Sequence, residues 1–204
     1  LNGGGRAAAS ASADYFTSRG MKEIPFRGIL SASLTTPGSV DSWCEAHANY
    51  GKLPLARNLQ SAITYARDGF PVTERLAGWI AKTEQELRAE PDAAAIFLKD
   101  GVPKTGSLLR NPGLAKTLES IAKDGRHGFY DGPVAEALAN YVQQRGGFFT
   151  QHDLQAQRAE WGQPLVGQYH DLTLYQTPAP TQGFAVIEML NLVEPLDLKK
   201  TGFL

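Results

Sequence analysis

Thr35-Thr36-Pro37-Gly38-Ser39-Val40-Asp41-Ser42-Trp43-Cys44-Glu45-Ala46-His47-Ala48-Asn49-Tyr50-Gly51 is the stretch that decides the fold class. Threonine, proline and glycine turn the chain, and Ser39 stands where a helix N-cap belongs. Val40, Trp43, Cys44 and His47 then recur at i, i+3, i+4 and i+7, the apolar stripe of an amphipathic helix facing a core, and Gly51 stops it. The Thr35–Val40 turn concentrates hydroxyls, and capping is enough to account for Ser39.

The same punctuation continues downstream. Leu55, Leu59, Ile63 and Ala66 after Pro54 predict a second helix that Gly69 ends. A third runs from Pro71 or Thr73 to Arg88 on Leu76, Ile80 and Leu87, with Pro91 as its stop. Ile96-Phe97-Leu98 before Lys99-Asp100-Gly101 reads as a short strand entering a turn between Ala95 and Val102. Leu114, Leu118, Ile121 and Ala122 predict a helix ending at Gly125. Val134, Leu138, Tyr141 and Val142 predict another, between Pro133 and Gly146-Gly147.

Thr150 with Asp153 has the spacing of a capping box. Leu165–Tyr169 and Leu172–Gln176 alternate around His170-Asp171 as a hairpin would. Thr181, after Pro178 and Pro180, is placed to cap a last helix with Val186, Met189, Leu190 and Val193 inward, ended by Pro195. Apart from the Ala/Ser-rich Ala7–Ala13 there is no low-complexity segment, repeat or linker. The expectation is a helix-rich α/β (α+β) chain, with residues 1–204 forming a single domain or part of one.

With 42% hydrophobic and 20% charged residues in 204, the chain has material for a core. Its formal net charge of -1 supplies no basic footprint for nucleic acid or an anionic membrane. Cys44 is the single cysteine, which excludes an internal disulfide and a multi-cysteine metal site. No run approaches the roughly 20 apolar residues of a membrane span. Leu1–Ser10 lacks the basic-then-apolar order of a secretory signal, so cytoplasm and periplasm both stay open. The glycine run directly behind Leu1, and Phe203-Leu204 at the other end, are expected of a piece of a longer polypeptide.

Local chemistry offers few catalytic candidates. His47, His127, His152 and His170 never pair at metal-binding spacing; His47 is expected beside Trp43 against the core and the others in turns or helix starts. No metal is expected. There is no G-x-S-x-G. Lys104-Thr105-Gly106 and Ser120-Ile121-Ala122-Lys123 imitate the K-T-G and S-x-x-K signatures of serine acyltransferases. Their order is reversed, however, and Ser120 lies inside a helix. Gly3-Gly4-Gly5 could cradle an anion, but it lacks the rest of a P-loop or dinucleotide fingerprint; close approach of two backbones explains it more simply. Arg6, directly behind those glycines, has little bulk around it and a planar fork suited to a carboxylate, although an ordinary surface arginine fits the same spacing.

Several pieces then fall in order. Thr36-Pro37-Gly38-Ser39-Val40-Asp41, Ala46-His47 and Tyr50-Gly51-Lys52-Leu53-Pro54-Leu55 are followed by Ala62 to Val72, Leu118 to Ala122 and Phe129-Tyr130-Asp131-Gly132. Gly146-Gly147, Thr150, Asp153-Leu154, Pro178 to Gly183 and Met189 to Leu192 complete the series. Together they resemble the large subunit of the gamma-glutamyltranspeptidase family over nearly the whole chain. The resemblance implies an N-terminal-nucleophile hydrolase of αββα architecture, of which this chain is the large-subunit portion. It implies a zymogen that cleaves itself, and a threonine at the new N-terminus of a small subunit acting as nucleophile with its own α-amine as base.

That nucleophile is expected outside this chain, so no catalytic residue is assigned here. Arg6 is expected to bind the substrate carboxylate. The implied partners are a small-molecule amide or γ-glutamyl compound, as in glutathione metabolism, and the small subunit from the same precursor. No cofactor, nucleic acid or membrane is implied. The family's Arg-Glu-Thr-Ala-Pro stands here as Arg6-Ala7-Ala8-Ala9-Ser10, and its Pro-Pro-Pro-Ser-Ser-Gly-Gly as Pro178-Ala179-Pro180-Thr181-Gln182-Gly183-Phe184. These departures point to the acylase or amidohydrolase branch, with substrate selection altered and amide cleavage retained. A catalytically incompetent binding homologue is the remaining alternative.

Overall fold

The computed structural model describes residues 1–23, 34–196 and 200. Caps and glycines set most helix boundaries, as the spacing predicts. The elements in order are α1 (Ala13–Thr17), α2 (Ser39–Tyr50), α3 (Leu55–Asp68), β1 (Phe70–Pro71), α4 (Glu74–Lys82), α5 (Glu84–Ala89), α6 (Pro91–Phe97) and β2 (Leu108–Leu109). After them come α7 (Pro112–Asp124), α8 (His127–Tyr130), α9 (Gly132–Gln144), α10 (Gln151–Ala156), β3 (Leu165–Tyr169), β4 (Leu172–Gln176) and α11 (Gly183–Val193).

The main core forms where α3 and α7 face each other through Ile63, Ala66, Ala115, Leu118 and Ile121. It is closed by Tyr130 of α8, Ala135, Ala139 and Val142 of α9, and Phe149 and Leu154 around α10. Tyr130 and Leu154 are 0% exposed, and burying side chains of this size contributes about 1.5–3 kcal/mol each. A smaller cluster of Val72, Ile80, Leu98 and Leu109 is tied by the antiparallel pair β1–β2, with Phe70 opposite Leu109. The predicted hairpin is present, pairing Leu165 with Gln176 and Tyr169 with Leu172. On one of its faces Gly167 makes room for α11, since a Cβ there would lie 2.7 Å from Ile187 Cγ2.

Six expectations are corrected. Ile96 and Phe97 are helical: Pro91 ends α5 as expected but also sits in the first turn of α6, and the Ala93-Ala94-Ala95 run carries that helix through them. A short apolar run cannot by itself distinguish strand from buried helix. The third helix divides at Thr83 into α4 and α5, with Thr73 capping the first through Leu76 N at 3.2 Å. Ser39 is the first helical residue and Gly38 the N-cap. Gln182, not Thr181, holds the N-cap position of α11; the Thr181 hydroxyl donates to the Thr177 and Pro178 carbonyls and accepts from Gly183 N only at 3.5 Å. Finally, Trp43 faces outward at 47% exposed, and in α11 Val186 and Met189 are exposed rather than inward.

The capping box is formed as predicted. Thr150 Oγ1 accepts from Asp153 N at 3.2 Å, and Asp153 Oδ2 accepts from Thr150 N at 2.8 Å. Burial alone would raise the Asp153 pKa, but hydrogen bonds from Ala9 N, Thr150 N and the Thr150 hydroxyl outweigh it and hold the carboxyl below its ordinary value. A carboxyl depressed in the folded state stabilises above its unfolded pKa of about 3.9, and that stabilisation is lost as pH falls through the folded value. Asp153→Asn is therefore expected to cost about 1 kcal/mol at neutral pH, with the gap to the parent protein closing below about pH 4. Unfolding midpoints measured from pH 7 to pH 3 check this; a gap that stays constant in acid refutes it.

Candidate functional site

Three segments distant in sequence come together around Arg6. Residues 2–6 run between the turn that leads into α2 and the stretch 157–160 that follows α10. Asn2 N donates to Glu160 O at 2.7 Å and Glu160 N donates to Asn2 O at 2.8 Å. Thr36 N donates to Arg6 O at 2.9 Å, and on the other edge Arg6 N donates to Gln157 Oε1 at 3.3 Å.

The glycines have a steric cause. A Cβ on Gly5 would lie 2.0 Å from Thr36 O, and one on Gly38 would lie 2.2 Å from Gly3 O. The close-approach reading of Gly3-Gly4-Gly5 is therefore the one the geometry supports.

Beneath this layer lies a buried polar lattice. Asp41 is 6% exposed; its Oδ1 accepts from Arg126 Nε at 2.6 Å and its Oδ2 from Ala159 N. Arg126 Nη2 also donates to Gln155 O at 2.9 Å and Gln157 O at 2.8 Å, and the guanidinium lies 4.7 Å from the Tyr130 ring centroid. Tyr130 OH donates to Pro37 O at 2.8 Å and accepts from Asp41 N at 3.1 Å. Burial pushes the Tyr130 phenol up, and the Asp41 carboxylate pushes the same way. Burial likewise raises the Cys44 thiol, with Asp41 adding to it, so Cys44 stays protonated and is a poor nucleophile.

Above the lattice, Arg6 Nη2 pairs with Glu160 Oε1 at the edge of a recess of about 230 Å³ lined by Asn2, Gly4, Gly5, Arg6, Arg158, Glu160 and Pro180. The two side chains are 60% and 61% exposed, so water screens the pair and a competing carboxylate can reach the guanidinium. Pro180 belongs to the Pro178–Gly183 motif. Of the two segments in which the sequence departs from the family pattern, the recess is lined by Arg6 and Pro180, the positions that keep it. Larger clefts, of about 630 Å³ along α3 and α7 and about 570 Å³ beside α6, contain neither segment.

The other candidates stay apart. His47 Nε2 bonds Leu53 O at 2.7 Å, His127 Nδ1 bonds Asp131 Oδ2 at 2.7 Å, and His170 sits in the hairpin turn at φ 52°. Among the described residues no three His, Cys, Asp or Glu side chains are grouped to hold a metal. Ser120 donates to Gly128 O at 2.7 Å from within α7. No helix among the described residues is long and apolar enough to cross a membrane. Gln157, Glu160, Arg158 and Arg126 escaped the sequence reading. Asp41 lay in a quoted motif, where a carboxylate beside the apolar stripe of α2 was the available signal.

Known proteins resemble this chain in sequence and in fold. The gamma-glutamyltranspeptidase family model matches residues 1–203. The chain is 37% identical over 197 residues to the glutathione hydrolase-like YwrD proenzyme of Bacillus subtilis, covering 96% of this chain and 37% of that protein. It is 38% identical over 204 residues to the oxamate amidohydrolase proenzyme of Klebsiella pneumoniae, covering 97% and 38% respectively. The chain thus spans under two-fifths of the length of these relatives. The crystal structure of Helicobacter pylori gamma-glutamyltranspeptidase superposes with a TM-score of 0.91 at 27% identity, over 99% of this chain and 59% of that one. The helix-rich α/β fold expected from the sequence is accordingly present, and it matches a gamma-glutamyltranspeptidase structure along this portion of the chain. With the family model matched from Leu1 to Phe203 and the fold superposed along the same length, this chain belongs to the gamma-glutamyltranspeptidase family.

Proposed function

We infer that this chain is the substrate-holding part of an amide-cleaving hydrolase or acyltransferase, and that Arg6 binds a carboxylate of the substrate. The observation that carries this reading is the recess in which Arg6, fixed through its backbone on both edges, presents an exposed guanidinium beside Pro180. The nucleophile is a threonine at the N-terminus of a small subunit released from the same precursor, in line with the word proenzyme in the names of both relatives. Its hydroxyl attacks the amide carbonyl while its α-amine takes the proton. The amine leaves, an acyl-enzyme remains, and water or a second amine resolves it. Backbone N–H groups around the carbonyl would hold the developing oxyanion. Arg6 contributes by orienting the acyl group, not by chemistry.

The substrate is a small amide carrying a carboxylate. The relatives include a glutathione hydrolase-like protein at 37% identity and an oxamate amidohydrolase at 38%, so the acyl group is either γ-glutamyl or that of a related carboxylate-bearing amide. Mass analysis and N-terminal sequencing of the product of the full gene test the nucleophile: a second, smaller polypeptide beginning with threonine is expected. A single uncleaved chain would turn the reading toward a binding homologue.

Arg6→Ala in the processed enzyme is expected to raise KM for a carboxylate-bearing amide about 10- to 100-fold, the loss of a charged hydrogen bond of roughly 1.5–3 kcal/mol. The KM for an uncharged amide should not move. Equal changes for both substrates would remove Arg6 from the site.

A further inference from the structure

We propose that Gln157 is a positioning residue for the Arg6 clamp, setting its location through the backbone on which it is mounted; this rests on the reading of Arg6 as the carboxylate ligand. Three consecutive glycines precede Arg6, and glycine leaves φ and ψ broadly open, so the local sequence cannot hold the arginine in one place. The restraint has to come from outside the segment, and Gln157 is built to supply it.

Its side chain is 1% exposed. Oε1 accepts from Arg6 N at 3.3 Å, while Nε2 donates to Gly4 O at 3.4 Å and Arg158 O at 3.3 Å. Two carbonyls on one end and an N–H on the other fix which way the amide points. One buried amide therefore reads both the donor of residue 6 and the acceptor of residue 4, spanning the last glycine before the clamp.

Gln157 is itself immobilised. Its carbonyl accepts from Arg126 Nη2 at 2.8 Å, and Arg126 is held by the buried Asp41 carboxylate at 2.6 Å. The line of support runs from α2 through Arg126 to Gln157 and then to Arg6. Gln157 does not itself line the recess, so it acts on a ligand through the residues it holds, Arg6 first among them. A displacement of about 1 Å in a clamp can cost on the order of a hundredfold in rate or binding.

The test uses the full-length processed enzyme and two substrates, one amide with a carboxylate and one without. Gln157→Met keeps length and bulk and removes all three hydrogen bonds. It is expected to raise KM for the carboxylate substrate about tenfold. Its kcat should stay unchanged within about twofold, and KM for the uncharged amide should not move. In an Arg6→Ala background the same substitution should have no further effect on either substrate.

A parallel loss with both substrates, or an additive loss on top of Arg6→Ala, overturns the proposal and leaves Gln157 a structural residue. If Gln157→Met does not accumulate as folded enzyme, Gln157→Glu keeps the acceptor for Arg6 N while removing the donors to Gly4 O and Arg158 O. The same two criteria then decide. The failures separate cleanly. An Arg6→Ala enzyme that does not discriminate between the substrates refutes the clamp itself. A discriminating Arg6→Ala with a non-selective Gln157 variant refutes only the positioning role.

Discussion

Arg126→Met is expected to lower the unfolding free energy by about 3–5 kcal/mol, because it strands the buried Asp41 carboxylate without its cation. Asp41 is 6% exposed and would keep only Ala159 N on its second oxygen. The guanidinium does more than neutralise Asp41: it also satisfies the carbonyls of Gln155 and Gln157 and stacks near Tyr130. Asp41→Leu paired with Arg126→Met removes the uncompensated charge and should recover part of the loss, since an apolar pair is often no worse than a buried ion pair. Recovery stays incomplete because Ala159 N is left without its acceptor, whereas Arg158 Nη1 still serves the Gln155 and Gln157 carbonyls. Urea unfolding of the parent, the single variant and the double variant measures this cycle. A single variant within about 1 kcal/mol of the parent would show that the pair contributes little.

Gly5→Ala carries the second large effect. The new methyl would meet Thr36 O at 2.0 Å and Thr35 Oγ1 at 2.7 Å, and the first of these is backbone that cannot rotate away. Overpacking of this kind costs about 3 kcal/mol, and relief by moving residues 4–6 would carry Arg6 out of the recess. Both stability and carboxylate binding are therefore expected to fall. Gly4→Ala is the control: its nearest neighbour is the Asn2 side chain at 3.1 Å, which can shift, so stability should stay within about 1 kcal/mol of the parent. Equal thermal midpoints for the Gly5 and Gly4 variants would refute the steric account.

The elements that sequence alone placed well were those whose information is local. Leu55, Leu59, Ile63 and Ala66 lie on one stripe, and α3 follows from it with Ile63 and Ala66 buried. Thr150 and Asp153 satisfy each other's backbone three residues apart, and the hairpin alternates around a two-residue turn. Where two local signals competed, the reading failed. Pro91 was legible as a stop for the helix before it, but it is also a first turn, and the alanines behind it carry a new helix through Ile96 and Phe97. Thr181 had the position of a cap, but its hydroxyl is engaged by the turn before the helix.

At the site the sequence could name Arg6 as a guanidinium behind glycines and could draw the carboxylate role from the family resemblance. Gln157 was out of reach, because nothing near it in sequence distinguishes a buried bridging amide from a surface glutamine. Arg126 was hidden for the same reason: its acidic partner lies in a helix far away along the chain.

The mounting of Arg6 also bears on how the protein is made. The contacts tying residues 2–6 to the stretch after α10 join positions 151 to 158 residues apart, among the longest-range hydrogen bonds in the described molecule. Closing a loop of that length is entropically uphill until both ends are already structured, so contacts of this kind form late in folding. The helical core can assemble from nearer neighbours, whereas the arginine reaches its place only when the two distant segments dock. Ligand affinity at Arg6 should consequently lag behind helix formation during refolding, making carboxylate binding a reporter of the finished fold.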